Sequence, residues 1–273
     1  MIIDTHAHIG TLPPFFDMKT DELLYSMERY GIDFSLVSNI EAAENDHQGN
    51  PVPDELQKPQ NEILKATLAE ARRAPDRLGV LAWMKIRQEL PDREFVSLVR
   101  ENRDVIYGIK LHPFHSRTAP DDERIEPIYE LAAEFGLPVV SHTGGCEEAM
   151  SIHLYNAAKR HPELDFVMVH MDLGTDNRAA LDLLGELPNL YGDTTWVPVQ
   201  TTLEAIRRCG SEKMLFGTDN PIDGKDTLLH NKFGERSLYQ QYFNELRELL
   251  SPADYENLMW RNAAGLFKIR CTE

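Results

Sequence analysis

The chain has 273 residues, with 45 Asp and Glu against 28 Lys and Arg, which gives a formal net charge of −17. Its 42% hydrophobic and 27% charged residues are typical of a globular protein and exclude a disordered chain. The acidic balance argues against binding to nucleic acids or anionic membranes, because both need clustered Lys and Arg.

The sequence shows neither a targeting signal nor a membrane span. Met1 is separated from Asp4 by only two residues, so no basic segment precedes an apolar one. No apolar run approaches the roughly 20 residues that a membrane helix needs. The cysteines are odd in number and widely spaced, which favours a reducing compartment over a disulfide framework. We therefore expect a cytoplasmic protein that forms a single domain over residues 1–273.

Short apolar runs bounded by Gly, Pro, Asp or Asn alternate with longer amphipathic segments along the whole chain. The runs predict buried parallel strands, at Met1–Ile3, Phe34–Val37, Leu78–Trp83, Tyr107–Leu111, Pro138–His142, Phe166–His170, Leu190–Asp193 and Met214–Gly217. The amphipathic segments predict helices at Asp21–Tyr30, Asn61–Ala74, Arg93–Glu101, Ile125–Phe135, His153–Arg160, Arg178–Leu187, Leu203–Cys209, Tyr239–Leu250 and Ala253–Phe267.

This alternation predicts an α/β fold, and specifically a (β/α)8 TIM barrel, which typically has about 250 residues. An open, doubly wound sheet is the alternative, but no Gly-x-Gly-x-x-Gly follows the first strand. In a barrel, catalytic groups lie at the C-terminal ends of the strands. The long loops Asn39–Gln60 and Asn220–Arg236 follow strand ends, so we expect both to overhang the same opening.

The first strand ends in a His-x-His pattern, formed by His6 and His8. Residues i and i+2 of a strand face the same way, so both imidazoles can point into the barrel mouth and bind one ion. This pattern is weak support on its own, because many such pairs are ordinary histidines with backbone hydrogen bonds.

Polar residues at four further strand ends strengthen the prediction. Lys110 and His112 end the fourth strand, His142 the fifth, His170 the sixth, and Asp219 follows the eighth. Such residues are unfavourable in an apolar interior unless something satisfies them. A divalent cation held by neutral imidazoles and a carboxylate accounts for the set. The sequence therefore predicts a metal site at the C-terminal ends of the strands.

With these residues the chain resembles the amidohydrolase superfamily, and more narrowly its amidohydrolase-related group of metal-dependent hydrolases. That group includes aminocarboxymuconate-semialdehyde decarboxylase and γ-resorcylate decarboxylase. The resemblance runs from Ile3 to Phe267, and its motifs are Gly108–Pro113, Leu137–Gly144, Gly217–Pro221 and Trp260–Phe267.

The resemblance implies that His6, His8, His142 and Asp219 bind one or two divalent ions, of which zinc is expected and manganese is possible. It also implies that Asp219 serves as general base toward a metal-activated water. Lys110 has two open roles: a carboxylated bridge between two ions, or a free ammonium that holds a substrate carboxylate. His170 either binds a second ion or acts as acid or base. We also expect the catalytic set to be Asp219 and His170.

Two further residues are candidates for substrate binding. His112 lies two residues beyond Lys110 and can face inward with it, while Trp196 follows the seventh strand and can form an apolar wall. A structural role for His112 is equally compatible with the pattern. His115 and Cys146 are expected to be loop residues without chemistry.

The leading functional prediction is a metal-dependent hydrolase of a small ester, lactone or amide. A non-oxidative decarboxylase of a small carboxylic acid on the same site is the second, and a non-catalytic ligand-binding barrel the third. A nuclease with a similar His-x-His motif is disfavoured by the net charge and by Lys110, where such enzymes use glutamate. The expected partner is a small-molecule substrate, with no nucleic acid or membrane, and homo-oligomers are possible.

Overall fold

The structure, a computed structural model, describes residues 1–221 and 238–270. Its strands form one curled, mostly parallel sheet of nine strands in the order β2-β1-β3-β4-β5-β6-β7-β8-β9. All neighbours are parallel except β1 and β2, which form an antiparallel hairpin. The strands are β1 Ile3–Leu12, β2 Phe16–Met18, β3 Phe34–Asn39, β4 Leu78–Trp83, β5 Ile106–Leu111, β6 Val139–Gly144, β7 Phe166–Leu173, β8 Leu190–Asp193 and β9 Met214–Leu215.

Helices connect the parallel strands, as the alternating pattern predicts. They are α1 Thr20–Tyr30, α2 Gln60–Ala71, α3 Arg93–Glu101, α4 Pro113–Ser116, α5 Glu126–Phe135, α6 Ser151–Arg160, α7 Arg178–Leu184, α8 Val199–Cys209, α9 Leu238–Leu249, α10 Pro252–Glu256 and α11 Asn262–Phe267. The predicted loop Asn220–Arg236 lies almost entirely outside the described residues. Among the described residues, no helix has both the length and the apolarity to cross a bilayer.

The main difference from prediction is the first strand, which continues to Leu12 instead of ending at Ile3. Its polar residues resemble a loop in sequence, but their backbone is paired with β3 as far as Ile9 and Asn39. Beyond that point β1 pairs with the unpredicted strand β2. The His-x-His pattern therefore lies within a strand and not in a loop, and the pairing with β3 shifts register between Asp4 and Ala7, on either side of His6.

The last predicted helix, Ala253–Phe267, is also different, because it is interrupted by a π-helical turn at Asn257–Arg261. The amide of Asn262 then donates to the carbonyl oxygens of Ser211 and Met214, at 2.8 Å each. This contact secures the last helix to the start of β9.

The two faces of the sheet have different apolar partners. One face packs against the helices in the largest hydrophobic cluster. The other face forms a second cluster that is covered by α11, with members Ile3, Leu36, Leu81, Val140, Val167, Leu215 and Phe267. Trp83 lies two residues beyond Leu81 on its strand, and His142 lies two residues beyond Val140 on another. The inner face therefore changes from aliphatic to polar and aromatic toward the strand ends.

Backbone hydrogen bonds also join the two ends of the parallel sheet. Thr5 N donates to Phe216 O at 2.9 Å, Asp219 N to His6 O at 2.8 Å, and His8 N to Asn220 O at 2.7 Å. These bonds hold the N-terminal histidines directly beside the aspartate more than 200 residues away in sequence.

Candidate metal centre

The closest group of potential metal ligands consists of His6, His8 and Asp219. The Nε2 atoms of the two histidines are 3.0 Å apart. Asp219 Oδ1 lies 3.1 Å from His8 Nε2 and 3.6 Å from His6 Nε2. Among the described residues, this is the one set of three or more His, Cys, Asp or Glu whose ligand atoms all lie within 4.8 Å of one another. All three side chains are buried.

Hydrogen bonds on the far side of each ring leave the Nε2 atoms facing this group. His8 Nδ1 is 3.0 Å from Ser38 Oγ, and His6 Nδ1 is 3.3 Å from Thr195 Oγ1. Burial is the main cause that lowers the pKa of His6 well below its usual value, with the charge of Lys110 adding to it. A neutral imidazole is the form that binds a metal ion.

Asp219 is held from its other side by Trp196, whose indole Nε1 donates to Oδ2 at 2.8 Å. The backbone of Asp219 has a φ of 63°, a conformation that costs a non-glycine residue energy and is concentrated at functional sites. Burial alone would raise the pKa of Asp219, but the hydrogen bond with His8 and the surrounding imidazoles hold it well below its usual value. The carboxylate is therefore ionised, with Oδ1 directed at the two histidines.

Lys110 lies against the same group, with its Nζ 3.0 Å from His6 Nε2. The side chain is fully buried, and burial lowers the pKa of its amine to about 8. Among the described residues, Lys110 forms no ion pair. A buried amine of this kind needs an anion or a modification to compensate it.

His112 and His142 form a column of rings with Trp83. The ring centroids of Trp83 and His112 are 4.9 Å apart with planes 11° from parallel, and those of His112 and His142 are 4.2 Å and 16°. His142 Nε2 donates to Gly144 O at 3.1 Å. The Nδ1 atoms of His112 and His142 are buried without a hydrogen-bond partner among the described residues. Burial lowers the pKa of both rings well below the usual value.

His170 adjoins both groups, at ring-centroid distances of 5.2 Å from His6 and 4.7 Å from His142. Its Nδ1 donates to the carbonyl oxygen of Thr195 at 3.1 Å, which leaves Nε2 available for a proton or an ion. Its backbone has a φ of 70°. Burial lowers the pKa of His170 to about 4, so the ring is neutral.

The structure thus brings every predicted site residue to one end of the sheet, but not into one tight group. The ring of His170 contacts His6 and the ring of His142 contacts His170, and both residues are outside the set of three ligands. Trp196 is half-buried and directs its N–H to Asp219, so its polar edge is already engaged.

Several residues that support the site were not identified from the sequence. Asp4 accepts from the backbone of His6 and of Thr218, both at 3.0 Å, and from the Thr218 hydroxyl at 2.7 Å. Asp193 and Thr195 contact His170 and His6. A run of polar residues directly after the seventh predicted strand was the available signal, because a strand end at a barrel mouth is where functional groups collect.

His115, expected in a loop, is instead buried on α4. Its hydrogen bonds connect α4 to the long loop that follows β3. Its Nδ1 donates to Asn45 O, and the Asn45 side chain donates to His115 O, both at 2.6 Å. Cys146 is half-buried in the turn after β6.

The residues present fit a divalent cation. Two imidazole nitrogens and one ionised carboxylate converge, and the buried Nδ1 of His142 has no hydrogen-bond partner among the described residues, which leaves it available as a further nitrogen donor. This donor set suits Zn²⁺ and Mn²⁺ alike.

Comparisons with known proteins give one family and a group of solved structures. The family model described as amidohydrolase matches residues 3–269. A search of curated proteins gives no significant sequence match.

Three solved structures illustrate the similarity in fold, and each comparison covers 98% of this chain. The first is 5-carboxyvanillate decarboxylase from Sphingomonas paucimobilis (TM-score 0.72, 14% identity, 99% of that chain). The second is a dihydroxybenzoic acid decarboxylase from a Polaromonas species with bound manganese and 2-nitroresorcinol (0.70, 17%, 96%). The third is 5-carboxyvanillate decarboxylase from Novosphingobium aromaticivorans with bound manganese and a nitrobenzoic acid (0.71, 13%, 97%).

Proposed function

Because the chain belongs to the amidohydrolase family, we propose that it is a metal-dependent decarboxylase of a small carboxylic acid. The observation that carries the proposal is the buried Lys110 amine, which lies beside the His6, His8 and Asp219 cluster without an ion-pair partner among the described residues. A substrate carboxylate would supply the missing negative charge. The manganese-bound decarboxylases of similar fold agree with this choice.

The proposal includes a closed (β/α)8 barrel with the metal site at the C-terminal ends of its strands. The backbone hydrogen bonds between β1 and residues 216–220 support closure, because they link the first parallel strand to the chain that follows the last one. The apolar cluster on the inner face agrees with a barrel interior that is filled by side chains.

His6, His8 and Asp219 would hold the ion, with His142 Nδ1 as a further donor. When bound, the divalent ion would polarise oxygen atoms of the substrate as a Lewis acid. Lys110 would grip the substrate carboxylate as a point charge, and His112 would offer its ring to a second oxygen. The buried Trp83, His112 and His142 rings stack next to His8 and would help to exclude water from the reacting carboxylate.

The reaction consumes one proton and releases carbon dioxide. The carbon–carbon bond to the carboxylate breaks, and a proton takes the carboxylate's place on carbon. His170 Nε2 and Asp219 Oδ1 are the atoms that would take up this proton and deliver it to carbon. His170 is suited to the task because its Nδ1 is already engaged by Thr195 O, so that a proton is gained or lost at Nε2 alone.

Hydrolysis of a small ester, lactone or amide is the second candidate function. A different aspect of the same lysine favours it: an amine whose pKa is about 8 is partly neutral, the form that reacts with carbon dioxide. A carboxylated Lys110 could bridge two ions, with His142 and His170 holding the second. In that case Asp219 would serve as general base, as the resemblance implies.

The test compares both activities on one preparation. Metal-depleted protein is reloaded with Mn²⁺ or Zn²⁺ and assayed for carbon dioxide release from hydroxybenzoic and enoic acids, and in parallel for hydrolysis of esters, lactones and amides. We expect metal-dependent carbon dioxide release. Hydrolysis without carbon dioxide release would favour the second candidate, and a folded protein that binds no divalent ion would reject both.

The Lys110→Met variant separates the two roles of the lysine. For the decarboxylase we expect a raised KM with one ion still bound per chain, whereas a bridging lysine predicts a fall from two ions to one. Lys85→Met is the matched control, because Lys85 is equally buried at the end of the neighbouring strand. Its Nζ donates to Lys58 O at 2.8 Å, outside the site.

A further inference from the structure

One short segment, from the last residue of β8 to Trp196, contacts three of the candidate site residues. Asp193 accepts a hydrogen bond from the backbone of His170, Thr195 contacts His6 and His170, and the following Trp196 donates to Asp219. Neither the sequence pattern nor the proposed reaction gives the Thr195 hydroxyl a role, although the residue is fully buried and contacts two of the histidines.

The direction of the Thr195 hydroxyl follows from its acidic neighbour. Thr195 Oγ1 lies 2.6 Å from Asp193 Oδ2, while Asp193 Oδ1 accepts from the backbone of His170 at 2.9 Å and of Thr195 at 3.2 Å. The two backbone N–H groups that donate to Asp193 Oδ1 favour the ionised form of this carboxyl against the effect of burial. A carboxylate can only accept hydrogen bonds, so the Thr195 hydroxyl donates its proton to Asp193. The hydroxyl oxygen is then left with lone pairs only for any other partner.

That other partner is His6, whose Nδ1 lies 3.3 Å from Thr195 Oγ1. Because the hydroxyl proton is committed to Asp193, the ring must supply the proton of this bond from Nδ1. The neutral imidazole then carries no proton on Nε2. The opposite side of the ring agrees, since Lys110 Nζ, a donor, lies 3.0 Å from His6 Nε2.

The backbone carbonyl of Thr195 fixes the tautomer of the second histidine, His170. Thr195 O is 3.1 Å from His170 Nδ1, and a carbonyl oxygen can only accept. His170 therefore also carries its proton on Nδ1 and leaves Nε2 bare. One residue thus determines two ring tautomers, one through its side chain and one through its main chain.

We propose that Thr195 is a positioning residue: its hydroxyl connects the Asp193 carboxylate to His6 Nδ1 by hydrogen bonds, and so leaves His6 Nε2 without a proton and facing the metal site. The inference rests on the proposed metal-dependent function, because a bare Nε2 matters only where an ion or proton is to be bound. Hydrogen-bond partners of this kind typically contribute about 10- to 100-fold to metal affinity.

The test uses full-length Thr195→Val, which keeps the shape of the side chain, and Thr195→Ser, which restores the hydroxyl. Thr194→Val is the matched control: this neighbouring threonine is equally buried, but its hydroxyl binds the backbone of Gly217 at 3.1 and 3.3 Å. Two quantities are measured: Co²⁺ and Mn²⁺ affinity, and the ring tautomers in metal-free, ¹⁵N-histidine-labelled protein by NMR.

We expect Thr195→Val to weaken metal affinity about 10- to 100-fold and to shift His6 away from the Nδ1–H tautomer, with His170 unchanged because its acceptor is backbone. Thr195→Ser should restore both quantities, and Thr194→Val should alter neither. An Nδ1–H tautomer of His6 and wild-type affinity in Thr195→Val would overturn the inference while leaving the proposed function intact. Failure of the wild-type protein to bind either ion would instead reject the proposed function.

Discussion

The two sides of the site differ in how completely their polar atoms are paired. On one side, called here the junction side, His6, His8 and Asp219 meet where the first strand adjoins the segment after the last. Each has a hydrogen-bond partner outside the cluster, at Thr195, Ser38 and Trp196 respectively. On the other, called the stacked side, His112 and His142 each bury an Nδ1 atom without a partner among the described residues.

This difference indicates what each side contributes. The junction side is oriented by protein hydrogen bonds alone, so its geometry exists before anything binds. An unpaired buried polar atom costs about 1–3 kcal/mol, so the stacked side is stabilised only when a ligand satisfies it. Under the proposed function, the junction side would supply the first ligands of an ion in a fixed geometry, and the stacked side would supply the remaining donors to the ion or the substrate.

The largest effect is expected on the junction side. Asp219→Asn removes the one carboxylate of the cluster and substitutes an amide, which can donate toward His8. We expect loss of the bound ion and a fall in turnover of about 10³-fold or more. Metal analysis and steady-state kinetics measure both, with thermal unfolding to verify the fold. Near-normal turnover in the folded variant would remove Asp219 from the chemistry.

The next largest effect is expected at Glu44, a residue outside both sides of the site that also has a buried oxygen atom without a partner among the described residues. Its Oε1 has no partner among the described residues, and burial raises the pKa of the carboxyl from 4.5 to about 7. The folded state then binds the proton more tightly than the unfolded state. Stability is therefore full below about pH 4.5 and falls as the pH rises toward 7.

Glu44→Gln should abolish this loss. Relative to the wild-type protein, the variant should gain up to about 3 kcal/mol in free energy of unfolding between pH 5 and 8. Denaturant unfolding at the two pH values measures this difference, and added Mn²⁺ should leave it unchanged. A pH-independent difference between the two proteins would contradict the raised pKa.

The smallest effects are expected on the stacked side, where phenylalanine keeps the ring column and removes the nitrogens. His142→Phe should weaken metal affinity about 10- to 100-fold. Metal-free His142→Phe should be close to wild type in stability, because it removes the unpaired Nδ1 but also the hydrogen bond from Nε2 to Gly144 O. Metal-free His112→Phe should be more stable than wild type by about 1–3 kcal/mol, and it should raise KM without changing metal affinity.

Calorimetric titration and thermal unfolding distinguish these outcomes. Equal metal affinity in the two phenylalanine variants would mean that His142 is not a ligand. A loss of stability in metal-free His112→Phe would show that its Nδ1 atom is satisfied after all, and the contrast between the two sides would disappear.

Much of this arrangement could be predicted from sequence. The alternation of short apolar runs with amphipathic segments identified the strands of the parallel sheet, apart from the length of β1 and the hairpin strand β2. The family resemblance is confirmed by the match over residues 3–269. Polar residues directly after apolar strands were sufficient to indicate His6, His8 and Asp219, because few other arrangements tolerate such residues in a buried position.

What could not be predicted were the residues that act through their partners. Thr195 and Ser38 are ordinary hydroxyl residues in sequence, and their importance depends on which ring nitrogen lies opposite. Trp196 was expected as an apolar wall, but its contribution in the structure includes a hydrogen bond to Asp219. Distances of about 3 Å between side chains from different strands depend on register and backbone twist, which no local pattern encodes.

The sequence by itself determined the kind of protein: an acidic α/β chain whose histidines, lysine and aspartate stand at strand ends, since periodicity and polarity are properties of neighbouring residues. Only the tertiary structure decided which of those groups form the cluster and which remain unpaired. The reason is that the backbone bonds between β1 and residues 216–220 bring together two parts of the chain whose separation in sequence says nothing about their contact.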